Sequence, residues 1–300
     1  MTPALAAQHA PAALQALLAE LIDYAGLFPP ASLDMSSAVA NYARYAAGEY
    51  SWVLGRFILP ASRLGEFKSA QKDVLIGIPW RLSALVGVDA GADHHAIAEF
   101  NRCNNSHAIV DTVEVKFSST AEFKSLTEGV APSICTYCEV PLSASTELLS
   151  WIRDRGARAK IRMGGVLPNA IPPARAVAHF IANCVVAGTA LKATAGLHHP
   201  LRGLNRLTYE VNAPTSKMHG FLNLFLALLL AYDGATVEVI ARVLDEECDR
   251  NFVFNDSEAR WIAERIRTGQ ILAARERFAI SFGSCSFDEP IEDLRDFRFL

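Results

Sequence analysis

The chain has 300 residues, of which 51% are hydrophobic and 20% charged, with a net charge of −4 at pH 7 and a pI near 6.1. This composition excludes a disordered chain. The mild negative charge and the lack of a long basic run speak against nucleic acid or an anionic membrane as partner, so a small molecule is expected.

The N-terminal stretch 1–20 lacks the basic region and continuous apolar core of a signal peptide, and it is predicted to form an amphipathic helix. The six cysteines are scattered along a long chain, which is typical of free thiols. Both features favour a cytoplasmic protein. Cys135 and Cys138 have CxxC spacing, but in a strand these two positions face opposite sides, which disfavours a chelating or redox pair.

Eight strand-like runs alternate with helical runs along the chain. The predicted strands are LIDYAGLF (21–28), WVLGRFIL (52–59), RLSALVGV (81–88), DTVEVKF (111–117), ICTYCEV (134–140), RAKIRMGG (158–165), ALKATAGL (190–197) and FAISFG (278–283). Helical character is strongest in 33–48, 93–103, 118–126, 145–156 and 172–188. Repeated strand and helix over this length predicts an α/β (β/α)8 TIM barrel spanning 1–300 as one domain, with a doubly wound open sheet as the alternative.

The alternation within the strands favours the barrel. In at least five strands one parity is apolar and the other carries polar or charged side chains, as in Val113 and Val115 against Glu114 and Lys116. A sheet covered by helices on both faces should be apolar on both parities. The polar parity is therefore predicted to face a barrel interior.

About 80 residues separate the last two predicted strands, and 204–277 is predicted to be a helical elaboration of the seventh loop. Its most apolar run, GFLNLFLALLLAY (220–232), is shorter than the roughly 20 residues that span a bilayer. We predict a buried helix or an interface helix, and the second option would make the chain a homo-oligomer.

Barrel enzymes act at the C-terminal ends of their strands, where Lys116, Glu139, Arg162, Thr194 and His198 are predicted to lie, with Lys192 and Lys160 deeper. The inward charges comprise Arg56, Glu114, Lys116, Glu139, Lys160, Arg162 and Lys192, five positive and two negative. This excess predicts an anionic substrate. The structural alternative is a network of ion pairs, such as Glu114 with Lys160, that only holds the barrel.

The loops after strands seven and eight are GLHHPLRG and FGSCSF. Such loops often build an anion site in barrels of this kind. Gly196, Gly283 and Ser284 are predicted to offer backbone N–H groups and a hydroxyl, with Arg202 adding charge. The alternative is that the glycines only make tight turns.

The run LKATAGL around Lys192 resembles the strand of the Schiff-base lysine in deoxyribose-phosphate aldolases and related class I aldolases. The resemblance implies a lysine that attacks a carbonyl, a second lysine that lowers its pKa, an acidic proton relay and a glycine-rich phosphate loop. Lys192, Lys160, Glu139 and the Gly283 loop correspond in role.

A lysine that is buried among cations and apolar side chains is also expected, from physics alone, to have a lowered pKa. The leading hypothesis is thus a lyase or aldolase without a cofactor, acting on a small oxo acid or phosphorylated carbonyl compound. The predicted catalytic residues are Lys192, Glu139 and Lys160. The predicted substrate-binding residues are Lys116, Arg162, Arg56, Glu114, Thr194, His198, Arg202, Gly283 and Ser284.

Two alternatives remain open at this stage. A divalent cation held by Glu114, Glu139 and His198 would support enolisation in the same barrel. A catalytically silent barrel that serves as a binding or assembly subunit is the other.

Overall fold

Eight parallel strands close into a barrel in the computed structural model, which describes residues 10–72, 74, 77, 79–104 and 106–300. The first seven barrel strands are β1 (Ile22–Tyr24), β2 (Leu54–Pro60), β3 (Trp80–Leu85), β4 (Ala108–Lys116), β5 (Cys135–Glu139), β6 (Arg158–Arg162) and β7 (Leu191–Thr194). The chain then adds the short strands β8 (Gly203–Arg206), β9 (Thr215–Met218), β10 (Phe252–Phe254), β11 (Glu258–Trp261) and β12 (Glu264–Arg267), and finally the eighth barrel strand, β13 (Ala279–Ser284).

The order around the barrel is β1-β13-β7-β6-β5-β4-β3-β2, and β1 pairs with β2 to close it. The register places Lys160 beside Lys192 and Lys116 beside Glu139 on neighbouring strands. The predicted barrel is confirmed, and so is the inward direction of the polar parity, because the apolar parity is buried against the surrounding helices.

Eleven helices are present in the described part of the chain. They are α1 (Ala12–Leu18), α2 (Met35–Ala46), α3 (Leu64–Gln71), α4 (Ala90–Asn104), α5 (Thr120–Thr127), α6 (Thr146–Arg153), α7 (Ala174–Ala187), α8 (Phe221–Tyr232), α9 (Val237–Asp245), α10 (Thr268–Arg277) and α11 (Asp288–Asp296). The predicted N-terminal helix over 1–20 is α1 in its second half, and residues 1–9 lie outside the described residues.

Local sequence explains several helix ends. The side chains of Asp34, Ser119 and Ser145 accept hydrogen bonds from the backbone at the starts of α2, α5 and α6. Gly188 ends α7 in the left-handed conformation with φ of 66°. At the start of α5 the Glu122 carboxylate accepts hydrogen bonds from the backbone N–H and the hydroxyl of Ser118.

Segment 204–277 is richer in strands than predicted. It holds three helices, but it also contains the hairpin β8–β9 and the three-stranded antiparallel sheet β10-β11-β12. These strands are only three or four residues long, so their sequence carries too little periodicity to separate them from loops. The predicted helical elaboration is thus present as α8, α9 and α10, and the short strands are an addition to it.

The apolar helix α8 is buried inside the chain. All residues from Phe221 to Ala231 are buried, and the helix packs against α7, α9, α10 and β13. Its apolar surface is therefore covered without a partner molecule. Among the described residues one stretch, Pro168–Ala187, passes the length and composition test for a membrane span, and it contains α7, whose inner face is buried on α6 and α8.

Candidate functional site

Lys192 lies in a closed ionic network in the middle of the barrel. Its Nζ is 2.6 Å from Glu114 Oε1 and 2.7 Å from Asp23 Oδ2, and its side chain is 1% exposed. The Tyr137 ring covers the ammonium, with its centroid 5.5 Å from Nζ. Ser281 donates a hydrogen bond to the same Asp23 oxygen at 2.8 Å. The lysine is thus paired twice inside the protein.

These contacts reverse the expected electrostatics. Burial opposes the charge of Lys192, but the Asp23 and Glu114 carboxylates outweigh burial and raise its pKa above the usual range. Burial alone would raise the pKa of Glu114, but Lys160 and Lys192 outweigh burial and hold this pKa well below its usual range. The prediction of a depressed pKa at Lys192 is wrong, and Lys192 lacks the neutral amine that imine formation needs.

The network continues upward to the rim of the barrel. Lys160 Nζ is 2.7 Å from Glu114 Oε2 and 3.0 Å from Glu139 Oε2. Glu139 also lies 3.7 Å from Lys116 and 3.8 Å from Arg162. The structure therefore brings the three predicted catalytic residues together, but as links in a chain of ion pairs that holds the barrel.

Arg56 belongs to the opposite, N-terminal end of the barrel. Its guanidinium binds Asp111 in a bidentate contact, with N–O distances of 2.6 and 2.9 Å, and Arg81 pairs with the same carboxylate at 3.0 Å. The prediction that Arg56 binds substrate is wrong for this geometry. Asp23 and Asp111 also pair with predicted inward cations, so the predicted number of two inward carboxylates was too low.

A cavity of about 270 Å³ opens at the C-terminal ends of the strands, where β1, β6, β7 and β13 meet. We call it the mouth cavity. A guanidinium, a histidine and a thiol line it together with apolar residues. Its lining is Ala25, Phe28, Pro29, Pro30, Arg162, Gly165, Val166, Thr194, Ala195, Gly196, His198, Leu207, Met218, Gly283 and Cys285.

Glycines shape this cavity by close backbone approach. A Cβ on Gly196 would lie 2.7 Å from the Cα of Gly164, and the φ of Gly196 is +69°. A Cβ on Gly283 would lie 3.2 Å from Thr194 Oγ1 and 3.1 Å from Ile58. The predicted placement of Gly196, Gly283 and Thr194 at the end of the barrel is confirmed by this lining. Their predicted anion binding remains a prediction.

His198 is oriented by an acidic residue of the last helix. Its Nδ1 is 3.1 Å from Glu289 Oε2 and 3.9 Å from the Cys285 Sγ. The Tyr209 hydroxyl donates to the same Glu289 oxygen at 3.3 Å and lies 3.6 Å from the Cys285 Sγ. Among the described residues no hydrogen bond uses His198 Nε2, so this nitrogen is available to a molecule in the cavity.

The environment of His198 favours its charged form. Burial alone would disfavour the imidazolium, but the contacts with Cys285 and Glu289 outweigh burial and raise the pKa of His198 to about 10. The pKa of Glu289 is lowered because hydrogen bonding to His198 outweighs burial. At neutral pH the pair is therefore an imidazolium and a carboxylate beside the cavity.

A second hollow of about 320 Å³ shares His198, Pro30 and Leu207 with the mouth cavity. His199 faces only this second hollow, and its Nδ1 binds Asp293 at 2.6 Å. The nearest carboxylate of α11 is Glu289 for His198 and Asp293 for His199, whose Nε2 also lies 3.9 Å from Glu289.

Two predicted anion ligands lie elsewhere. Arg202 pairs with Asp245 at 3.3 Å and its backbone N–H donates to Asn223, so it contributes no charge to the mouth cavity. Ser284 is buried on the outer parity of β13. Lys116 stands on the rim with 79% of its side chain exposed and does not line the cavity, whereas Arg162 does.

The divalent-cation alternative fails on its ligands. Glu114 and Glu139 both bind Lys160, and His198 lies at a different site near Glu289. The described residues contain no group of three or more His, Cys, Asp or Glu side chains that could hold a metal ion. The cysteines at 135 and 138 are unbonded to each other.

The sequence argument missed Asp23, Cys285, Glu289 and Tyr209. Asp23 carried a usable signal, because it is a lone charge between Ile22 and Tyr24 in an apolar strand. The other three had none. Cys285 and Glu289 contact His198 across 87 and 91 residues, and Tyr209 contacts Cys285 and Glu289 across 76 and 80 residues. Only the closed barrel brings the last helix beside the seventh loop.

No protein-family model and no curated protein matches this chain. Among solved structures, FabK from Thermotoga maritima is similar with 13% identity over 63% of this chain and 55% of that one, at a TM-score of 0.36. A point mutant of FabK from the same organism is similar with 12% identity over 96% and 97% of the two chains, at a TM-score of 0.40. The chain spans about half the length of the first of these. None of these matches supports the resemblance to class I aldolases.

Proposed function

We propose that this chain is a barrel enzyme that binds a small anionic carbonyl compound in the mouth cavity and acts on it as a lyase or isomerase by acid–base catalysis. The observation that carries the proposal is the Glu289–His198 pair at the cavity wall, with Nε2 available. A carboxylate that orients a histidine in this way is a common arrangement for a general acid or base.

The roles follow from position and charge. Arg162 supplies the positive charge for a carboxylate or phosphate, and the backbone at Gly196 and Gly283 allows close approach of that anion. His198 is an imidazolium at neutral pH, so it acts as a general acid toward the carbonyl oxygen, and solvent takes the α proton that this protonation makes more acidic. A volume of about 270 Å³ limits the substrate to a small molecule.

This proposal moves the chemistry away from Lys192. The finer hypothesis of an aldolase that forms an imine would need a neutral Lys192 next to a cavity, whereas both of its carboxylate partners are buried with it. We retain the anionic carbonyl substrate from the sequence argument and replace the covalent lysine with acid–base chemistry at His198. We also propose a cytoplasmic location, which the six free cysteines support.

The test measures solvent exchange, which reports proton transfer whatever the final product is. Small oxo acids and phosphorylated aldehydes and ketones are incubated with the protein in D2O, and loss of the proton α to the carbonyl is followed by NMR. His198→Gln should lower exchange by about 100-fold or more, the range expected for loss of a general acid or base. His199→Gln is the matched control, because His199 has an equivalent carboxylate partner but does not line the mouth cavity.

A second pair of variants tests anion binding. Arg162→Gln should weaken binding of the exchanging compound by about tenfold or more, whereas Arg155→Gln should not, because Arg155 lies just after α6, outside the mouth cavity, and stacks on Trp151. If no compound of the panel exchanges with wild-type protein, or if His198→Gln exchanges as fast as wild type, the proposed function is wrong.

A further inference from the structure

Cys285 differs from the other cysteines in its surroundings. It lines the mouth cavity directly after β13, and its Sγ is 3.9 Å from His198 Nδ1 and 3.6 Å from the Tyr209 hydroxyl. The residue is 6% exposed, so its contact with solvent runs through the cavity that it lines. A thiol beside an imidazolium is the arrangement that stabilises a thiolate.

The remaining thiols lack this combination. Cys138 and Cys184 are buried among apolar residues, and burial raises the pKa of the Cys138 thiol to about 12 and that of the Cys184 thiol above its usual range. Cys103 and Cys248 are exposed on the surface, and the Cys103 thiol lies 3.3 Å from a Glu99 carboxylate oxygen. Only Cys285 lies both in the mouth cavity and next to a histidine among the described residues.

We propose that Cys285 is a nucleophile of this site, whose thiolate, paired with the His198 imidazolium, adds to the carbonyl carbon of an anionic substrate held by Arg162. The inference rests on the proposed function and deepens it, since it adds a covalent step to the acid–base chemistry. The sulfur, the imidazole and the guanidinium border one cavity, so a single small molecule can contact all three.

The step balances without any further reactant. The Cys285 thiol loses its proton to solvent, and the neighbouring imidazolium, whose Nδ1–H donates to Glu289, stabilises the thiolate. The sulfur electron pair forms the S–C bond, the carbonyl π pair moves to oxygen, and that oxygen takes the proton from His198 Nε2. The histidine is then neutral, with its Nδ1–H still donating to Glu289. The product is a thiohemiacetal or thiohemiketal, and the reverse steps release the thiol.

The experiment uses iodoacetate and iodoacetamide as anionic and neutral probes. In alkylation the thiolate displaces iodide and forms an S–C bond, so the rate reports the thiolate population and its access. The background is Cys103→Ser/Cys248→Ser, which removes the two exposed thiols. Mass spectrometry of peptides follows modification of Cys285 at pH 7, and circular dichroism checks that each variant keeps the fold.

We expect Cys285 to react at least tenfold faster with iodoacetate than with iodoacetamide, because the anion binds beside Arg162. Arg162→Gln should abolish this preference, whereas Arg155→Gln should keep it. His198→Gln should slow both reagents by about tenfold or more, and Glu289→Gln should slow them less, since Glu289 acts only through the ring that it positions.

Two results would overturn the inference. One is that Cys285 reacts no faster than Cys248 does in a variant that retains Cys248, with no preference for the anion. The other is that NMR of an exchanging compound labelled with 13C at its carbonyl carbon shows no thiohemiacetal or thiohemiketal signal in wild-type protein that is missing in Cys285→Ser. In the second case the proposed function still stands if His198→Gln abolishes exchange, so failure of the covalent step and failure of the acid–base proposal give different results.

Discussion

Replacing Lys192 with methionine tests whether this lysine holds the barrel or serves the chemistry. The substitution keeps the length of the side chain and removes an ammonium that contacts two carboxylates at 2.6 and 2.7 Å. Glu114 keeps Lys160 as a partner, whereas Asp23 loses the ammonium that neutralises it. Lys192→Met therefore leaves the buried Asp23 carboxylate without a cationic partner inside the barrel.

The size of the effect follows from these distances. Coulomb's law at an effective dielectric constant of about 20 gives about 6 kcal/mol for each contact, and desolvation of the three charged groups offsets most of the sum. Breaking a buried pair by removing one partner costs about 3–5 kcal/mol, because the other charge is left unpaired. We expect Lys192→Met to lower the free energy of unfolding by this amount.

Urea unfolding at pH 7 measures this loss in the free energy of unfolding. The dependence of that free energy on urea concentration should be the same in both variants. Lys116→Met is the matched control. Its ammonium is 3.7 Å from Glu139 on a side chain that is 79% exposed, so the expected loss is under about 1 kcal/mol.

The loss of stability in Lys192→Met should depend on pH in a defined direction. The folded state holds the pKa of Glu114 below its ordinary 4.5, so the stabilisation by this network is present above pH 4.5 and is lost as the pH falls below it. The gap between wild type and Lys192→Met should therefore narrow in acid. If Lys192→Met unfolds like wild type but has lost turnover, the structural role assigned to Lys192 is wrong and a chemical role is restored.

Three further predictions concern the mouth of the barrel and its support. The pKa of His198 is 6.5 unfolded and about 10 folded, so its stabilisation is complete below pH 6.5 and is lost between pH 6.5 and 10. In urea unfolding, the free energy of unfolding of the wild type should fall by at most about 5 kcal/mol across this pH window, and that of His198→Gln should not show this fall. Parallel pH curves for the two proteins would contradict the pKa shift assigned to His198. Gly164→Ala should lower thermal stability by about 1–3 kcal/mol, because its Cβ would lie 2.8 Å from the Gly196 Cα, whereas Gly269→Ala, with open space around it, should cost nothing. Asn223→Leu should cost about 3 kcal/mol in chemical unfolding, because it leaves a backbone N–H and two carbonyls without the amide that they bind; a loss below about 1 kcal/mol would show that water replaces it.

The barrel could be predicted because the side-chain pattern of each strand indicates which of its two faces is buried against helices. Side chains alternate across a strand, so Val113 and Val115 on one parity and Glu114 on the other show which face meets the helices before any partner strand is known. All eight predicted barrel strands lie within a few residues of their observed bounds for the same reason. The short strands β8 to β12 could not be predicted in this way, because three or four residues are too few to show an alternation of apolar and polar side chains.

The direction of the Lys192 pKa shift was predicted with the wrong sign. A count of inward charges that contained Glu114 but omitted Asp23 made Lys192 look like one cation among several. Register and barrel closure bring β1 next to β13 and place the Asp23 carboxylate 2.7 Å from the ammonium. A pKa depends on such distances, and spacing along one strand does not contain them.

The sequence by itself determined that the chain forms a barrel with a polar interior, that Lys192, Glu114 and Lys160 share that interior, and that Thr194, His198 and Gly283 stand at its C-terminal end. These are consequences of local periodicity and of strand direction. Only the tertiary structure decided which charges pair and which face the cavity. The contacts of His198 with Cys285 and Glu289, and those of Tyr209 with the same two residues, join parts of the chain that lie far apart in sequence. They form because barrel closure places the last helix beside the seventh loop.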